Sequence, residues 1–368
     1  MFEQQRAWVY FSYNNMRASI AKVAQHANVS TMTVSRVIRG RKNQVNPETY
    51  ERVMAAVREL NYVPMQSSFQ NRHVETSTIG YVPHRAEVVR NEIDSATLEG
   101  LCKEARKHGY DMLIMLRDET DYMANRQIVR FLDRRSDGFI ILSPRCGEWQ
   151  DLFEILIEQN VPVVVCYRRD VPEGMAWIDP DNENVMRLAV EHLVEHGHSR
   201  IALLVNPTQA TEGIEIIEQA GSHDHFDDIE REKYFRKFLG ELCGKECHGE
   251  ILRALNKKWH MFPNTVEFLL EHGITGVICN DYTALQLWDM AEAAGLKIPE
   301  DFSIVGIDNH SDGAQRNLTS IDFGYDEVGR LAVEAWVELH SGKPAHECSK
   351  VVPVTLVKRK SVGKPRNS

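Results

Sequence analysis

Two short stretches that read as capped helices, joined by a tight connection, constrain this chain more than any other feature. Ser19 opens the first, with Ile20, Val23, Ala24 and Ala27 on its inward side; Ala27-Asn28-Val29 is the connection, and Ser30 opens the second, running to Val37. Small residues at Ala24 and Ala27 let two helices cross closely, while Val29, Val34, Val37 and Ile38 supply the apolar side of the pair. That leaves Thr31, Met32, Thr33, Ser35 and Arg36 as a small, polar, basic front. Asn46-Pro47-Glu48-Thr49 then reads as an N-cap with proline at the first helical position, starting a third helix through Val53, Ala56, Val57 and Leu60. The segment closes at Asn61-Tyr62-Val63-Pro64, because the residue before a proline is pushed out of the helical region.

Two capped helices with so short a turn form a helix-turn-helix, whose second helix fits the major groove of DNA. A merely packed helical hairpin is the plain alternative. The formal charge of −10 runs against a nucleic-acid partner until it is divided along the chain: residues 1–75 carry +5 and the remainder −15. A basic end suits phosphate, and an acidic body stays off it.

The length of 368 residues and 43% hydrophobic content allow a large core in two or three domains. No run approaches the length of apolar residues that crosses a bilayer, and Met1-Phe2-Glu3-Gln4-Gln5 lacks a basic segment followed by an apolar core, so a cytoplasmic protein is expected. The seven cysteines are odd in number and scattered, partly in apolar runs such as Val165-Cys166 and Ile278-Cys279, which suits reduced core thiols. Cys243 and Cys247-His248 match no standard zinc spacing, and neither a metal nor a cofactor is expected. Residues 1–17 form an extension containing Trp8, Tyr10, Phe11 and Tyr13, read as a tail or as an additional packing or DNA-contacting arm.

Ser19-Ile20-Ala21-Lys22-Val23-Ala24, Ala27 through Val37 and Leu60-Asn61-Tyr62-Val63-Pro64 resemble the headpiece of the lactose-repressor (LacI-type) transcriptional regulators. On that resemblance the DNA-binding domain is 18–64, followed by a hinge at 65–77. Its DNA-contacting candidates are Ser19, Ser30, Thr31, Met32, Thr33, Ser35, Arg36, Asn43 and Tyr62, with Ser68, Phe69 and Asn71 in the hinge. In the family a hinge helix wedges a leucine into the minor groove; here Asn71 holds that position and Ser68 the preceding small-residue position. An asparagine prefers hydrogen bonds to wedging, so weaker DNA kinking, or a hinge that folds less readily, is expected.

From Thr78 the period changes. Strand patterns at Thr78–Pro83, Tyr110–Met115, Gly138–Leu142 and Val161–Cys166 alternate with helical ones, and a second series runs through Arg200–Val205, Gly276–Asp281 and Phe302–Asp308. Such alternation indicates parallel sheets covered on both faces. These segments resemble, in order, the family's periplasmic-binding-protein-like effector domain. The implied fold is a small all-α headpiece joined by a hinge to a two-lobed α/β body, residues 78–368. The N-lobe spans 78–177 and 322–348, and the C-lobe 178–321 and 349–362. Helices Ser95–Lys107 and Tyr325–His340 are implied as dimer surfaces of the N-lobes.

In such sheets a ligand sits beyond the carboxyl ends of the strands, here between the lobes. The resemblance places Asp308 and Arg231 in the effector site, although the usual glycine three residues after the arginine is Tyr234. Aspartate accepts and arginine donates hydrogen bonds, which suits sugar hydroxyls. For Asp308 the plain alternative is a strand-end cap, and for Arg231 an exposed helix charge. Trp177 could stack on a pyranose ring or sit in the core; Tyr167 and Arg168 follow a strand at its cleft end, with a surface ion pair as the alternative for Arg168. Asn280, Asp281, Tyr282 and Phe323 complete the candidates, with His84 and Arg85, which together with Arg90 either suit a phosphorylated or acidic ligand or are solvated charges. The acidic stretch from Glu212 to Glu230, including Asp227-Asp228, reads as an exposed loop or helix.

The implied function is a dimeric, sequence-specific repressor of carbohydrate genes. It meets near-palindromic operator DNA and takes a sugar or sugar phosphate as effector, without membrane association. A carbohydrate-metabolising enzyme and a soluble sugar-binding protein are the alternatives. No glycine-rich phosphate loop, nucleophile elbow or zinc-binding helix motif supports the enzyme, and the basic headpiece argues against pure binding.

Overall fold

The computed structural model describes residues 20–38, 45–60, 75–83, 92–116, 131–133, 135–143, 149–208, 210–218, 225–243 and 247–366. Residues 1–17, Ser19, Asn43, Tyr62, Ser68, Phe69, Asn71, His84, Arg85 and Arg90 lie outside them. The described residues divide into two units, one holding 20–60, 75–76 and 131–133 and the other the rest of the α/β body.

In the first unit, helices α1 (Ile20–His26), α2 (Thr31–Ile38) and α3 (Pro47–Glu59) close on Val23, Ala24, Ala27, Val34, Val37, Val53 and Ala56, all buried. Asn28, at φ 49°, makes the left-handed step of the turn, a conformation that asparagine tolerates. The Arg52 side chain donates to the Ala27 carbonyl at 3.0 Å, tying α3 to that turn. Ser30 Oγ accepts from the Thr33 amide at 3.1 Å and Asn46 Oδ1 from the Thr49 amide at 3.1 Å. Both expected caps are therefore made, each contributing about 1 kcal/mol.

The body runs β1 (Thr78–Val82), α4 (Glu92–Lys107), β2 (Asp111–Ile114), β3 (Gly138–Leu142), α5 (Gln150–Glu158), β4 (Val163–Cys166), β5 (Ala176–Pro180), α6 (Asn182–Glu195), β6 (Arg200–Leu204), β7 (Glu215–Ile216), α7 (Phe226–Cys243) and β8 (His248–Arg253). It continues through α8 (Thr265–Glu271), β9 (Gly276–Asn280), α9 (Asp281–Ala293), β10 (Ser303–Ile307), α10 (Ser311–Gln315), β11 (Thr319–Asp322), α11 (Tyr325–His340), α12 (Ala345–Cys348), β12 (Lys350–Val352) and β13 (Thr355–Val357). One sheet has the order β12-β5-β4-β3-β1-β2, parallel throughout; the other is β13-β11-β10-β9-β6-β8-β7, parallel except for its antiparallel edge strands β13 and β7.

The two lobes are these two sheets with their helices, but the crossings differ from the expected boundaries. Ile178–Pro180 and Lys350–Val352 pair with each other in the first sheet, although the boundaries placed them in the second lobe. Boundaries carried over by position do not register which strand a segment pairs with. Helices α4 and α11, expected as dimer surfaces, pack on each other. A Cβ on Gly100 would lie 1.9 Å from the Asp326 carbonyl and one on Gly329 2.1 Å from that of Thr97, so only glycine permits this crossing. Trp336, Leu101, Ile140 and Val164 are buried in the first core, and Phe235, Ile251, Ile278 and Val305 in the second.

Cys166, Cys279 and Cys348 are buried free thiols, as expected. Cys247 departs from the expectation because it is disulfide-bonded. Among the described residues no helix is long and apolar enough to cross a membrane, and no group of three or more metal-ligating side chains occurs.

Candidate functional site

The front of α2 follows from its back. With Val34 and Val37 turned into the three-helix core, Thr31, Met32 and Arg36 are left exposed and Thr33 and Ser35 half-buried. Met32 is 63% exposed, and Arg36 Nη2 donates to its sulfur at 3.5 Å, so the thioether steadies the guanidinium one turn away. The Ser30 and Thr33 hydroxyls share a hydrogen bond of 2.9 Å at the start of the helix, beside its free amides. An apolar side chain, three hydroxyls and a fork-shaped cation on one short helix can meet base edges, phosphate and a thymine methyl.

The second cluster gathers where chain segments leave the strands. Asp308 follows β10 with φ 114°, a conformation unusual for an aspartate, and its Oδ1 accepts from the Tyr325 hydroxyl at 2.5 Å. Burial raises the Asp308 carboxyl, against the opposing pull of His310, Tyr325 and Arg231. Arg231, only 8% exposed, donates to Asn182 Oδ1 at 3.2 Å, pairs with Asp227 at 3.1 Å and lies over the Phe323 ring at 5.4 Å. Burial opposes its charge, but Asp227, Asp228 and Asp308 outweigh it and raise its pKa. Tyr167, at φ 63°, shares a 2.9 Å hydrogen bond with Thr97, and its ring lies 6.1 Å from that of Tyr325.

Asn280 and Asp281 act behind this surface. Asn280 caps α9 through the Thr283 amide at 2.8 Å and donates to Asn206 Oδ1 at 3.2 Å, while the Asn206 amide donates to Asp228 at 3.3 Å. Asp281 is buried and accepts from Ser320 Oγ at 2.6 Å and the His310 amide at 2.7 Å, which shapes the turn that carries Asp308. Burial and the neighbouring Asp308 push its carboxyl up to about 8.

The structure thus brings together Asp308, Arg231, Phe323 and Tyr167, with Asn280 one step behind. Others go elsewhere. Arg168 pairs with Asp170 at 2.6 Å, but it is buried and so is not the surface ion pair weighed for it, and Trp177 packs under the Arg169 guanidinium, which pairs with Asp179 at 2.6 Å. Tyr282 is exposed at the start of α9. The Asp227-Asp228 pair, expected to be solvated, forms the first turn of α7, and Asp228 is only 3% exposed. Asn182, Thr97, Asp227 and Tyr325 were missed as site residues. Asn182 and Tyr325 each directly follow a lobe crossing, the one signal that could have found them.

A helix-turn-helix unit and a two-sheet body with a polar cluster at its strand ends have the layout of a DNA-binding regulator of transcription. The chain resembles the lacI family of bacterial regulatory proteins at its headpiece and periplasmic binding proteins in its body. That family's model matches residues 19–65, and a periplasmic binding protein-like domain matches residues 190–362. It is 29% identical over 356 residues to the HTH-type transcriptional repressor PurR of Aliivibrio salmonicida (strain LFI1238), covering 94% of this chain and 99% of that protein. It is 28% identical over 352 residues to the lactose operon repressor of Escherichia coli (strain K12), covering 93% and 90%. Among solved structures, the lac repressor dimer bound to operator and the anti-inducer ONPF superposes with a TM-score of 0.64 at 26% identity, covering 94% of this chain and 99% of that one. The transcriptional regulator CelR-cellobiose complex shares the fold, with a TM-score of 0.63 at 24% identity over 94% of this chain and all (100%) of that one.

Proposed function

We propose that this protein is a cytoplasmic homodimeric repressor of carbohydrate-utilisation genes. Two copies of α2 read the half-sites of a near-palindromic operator, and a carbohydrate, free or phosphorylated, binds between the lobes and changes operator affinity. The observation that carries this reading is the Asp308–Tyr325–Arg231 cluster, which joins a strand end of one lobe to the first helix turn of the other. A ligand bonded to both sides shifts the lobes only by as much as it prefers one arrangement. A dimer on a two-fold site doubles the contacts of a small headpiece and sets the half-site spacing. The relatives support the reading, since they are named for repression of an operon and for complexes with operator and cellobiose.

The test is a footprint on DNA around the protein's own gene, repeated across a panel of sugars and sugar phosphates. Protection of a near-palindrome that changes with one of them is the expected result. Absence of specific protection under every condition would overturn the reading.

A further inference from the structure

The N-terminus of α7 and Arg231 one turn beyond it would ordinarily form an anion site, because unpaired amides and a guanidinium point the same way. In this chain both are already answered by carboxylates. Asp227 and Asp228 stand in the first turn of the helix, and Asp227 Oδ2 lies 3.1 Å from Arg231 Nη1, four residues on. Asp228 is buried, held by the Asn206 amide at 3.3 Å, and Asp308 adds a third carboxylate on the same guanidinium's side. Arg231 Nε donates to Asn182, and its guanidinium lies over the Phe323 ring.

A helix start often carries acidic residues simply to complement the dipole. Here they do more, since one pairs with the arginine and the other is buried beside it. We propose that Asp227 and Asp228 determine the charge of the effector: the cleft admits an uncharged or amine-bearing polyol and rejects phosphorylated or carboxylated ones. The inference rests on this cluster being the effector site. A phosphate entering it would meet a guanidinium already paired with Asp227, in surroundings where burial already raises the Asp228 and Asp308 carboxyls and so disfavours negative charge; a further anion adds to that cost. Hydroxyl groups meet no such cost, because they donate to Asp227, Asp228 and Asp308 and accept from Arg231 and Asn182. An ammonium group gains further from the carboxylates and from the Phe323, Tyr325 and Tyr167 rings.

The experiment is titration calorimetry on the full chain with glucose, galactose, their 6-phosphates, glucosamine and inorganic phosphate. Wild type, Asp227→Asn, Asp228→Asn and the double variant are compared, each checked for an unchanged melting profile. We expect neither 6-phosphate to bind wild type more tightly than its parent sugar. The double variant, or whichever single variant retains its fold, should gain at least tenfold for the 6-phosphates and inorganic phosphate, and adding Arg231→Ala should remove that gain. Tighter binding of a 6-phosphate than of its parent sugar by wild type, or no anion gain in the variants, overturns the proposal. If the anion gain appears while no uncharged sugar binds, charge selection stands and the carbohydrate reading falls.

Discussion

The Tyr325 hydroxyl reaches Asp308 Oδ1 at 2.5 Å, and the Tyr325 side chain is buried in the second core although the rest of its helix packs in the first. Asp308 follows β10 of the second sheet, while Tyr325 opens the helix that packs on the first. The bond therefore anchors the start of that helix to the second lobe. A hydrogen bond to a charged partner contributes about 1.5–3 kcal/mol. Tyr325→Phe should shift the balance between lobe arrangements by about ten- to a hundredfold, read as a larger radius of gyration in solution scattering and a displaced effector response. Asp308→Ala should leave operator binding intact and remove the response to ligand. A normal response in Asp308→Ala would mean the effector site lies elsewhere.

A second link joins the lobes at their exposed edge. Glu92, at the start of α4, accepts from the Ser311 amide at 2.9 Å and from the Ser311 hydroxyl. Burial works against the Glu92 charge, but these bonds bring its pKa below the usual range. Its contribution is therefore present above the ordinary carboxylate range and lost as pH falls below it. Exposure keeps the link weak, so Glu92→Gln should change the effector midpoint by less than about 1 kcal/mol and lose its effect at high salt. An effect as large as that of Tyr325→Phe would show that the edge contact governs the lobes.

The headpiece was legible in the sequence because its signals are local. Ser30 and Asn46 declare the helix starts, Val34 and Val37 declare the buried side, and no distant segment is needed to choose among alternatives. The alternation of strands and helices was legible for the same reason, but the pairing of β12 with β5 was not, since it joins residues more than 160 apart. Asp308 and Arg231 could be placed by resemblance. Their partners could not: Tyr325 and Asn182 arrive through lobe crossings, and Asp227 read as one acid among many in a charged stretch. Arg168 and Trp177 have near neighbours as partners, Asp170 and Arg169, a pairing that strand-end position alone does not reveal.

Arg36 and Met32 should separate in DNA binding. Arg36 has the fork geometry for a guanine edge or a phosphate, so Arg36→Ala should weaken specific binding by roughly 1–3 kcal/mol in a mobility-shift titration. Met32 offers no strong hydrogen bond, so Met32→Leu should stay within a few-fold of wild type unless its sulfur is needed to hold Arg36. Loss of binding in Met32→Leu as severe as in Arg36→Ala would assign the reading role to the methionine.

Asn71 supports a prediction about DNA shape from chemistry alone, since the hinge lies outside the described residues. An apolar wedge pries a base step apart, whereas an amide keeps to hydrogen bonds in the groove. Circular-permutation bending assays should give a smaller bend for wild type than for Asn71→Leu on the same operator. Equal bends would remove the special status of this position.

Acid should unfold the second lobe through His198. Its Nε2 lies 2.9 Å from the Gly363 carbonyl and 2.9 Å from Ser303 Oγ, and Nδ1 lies 3.0 Å from Thr275 Oγ1. Burial lowers its pKa to about 4. The unfolded chain, with an ordinary imidazole, takes up a proton near pH 6.5, so stability is retained above that value and lost as pH falls through about 4. Such a shift corresponds to about 3 kcal/mol at most. Asp281 works in the opposite sense: its contribution is complete below the ordinary carboxylate range and is lost as pH rises through about 8. Melting temperature should therefore fall on both sides of a mid-range maximum. His198→Gln, which keeps a hydrogen-bonding side chain without the titration, should flatten the acid limb and leave the alkaline one. An unchanged acid limb in His198→Gln would pass the acid sensitivity to another group, with His192, also lowered to about 4 by burial, the next to test.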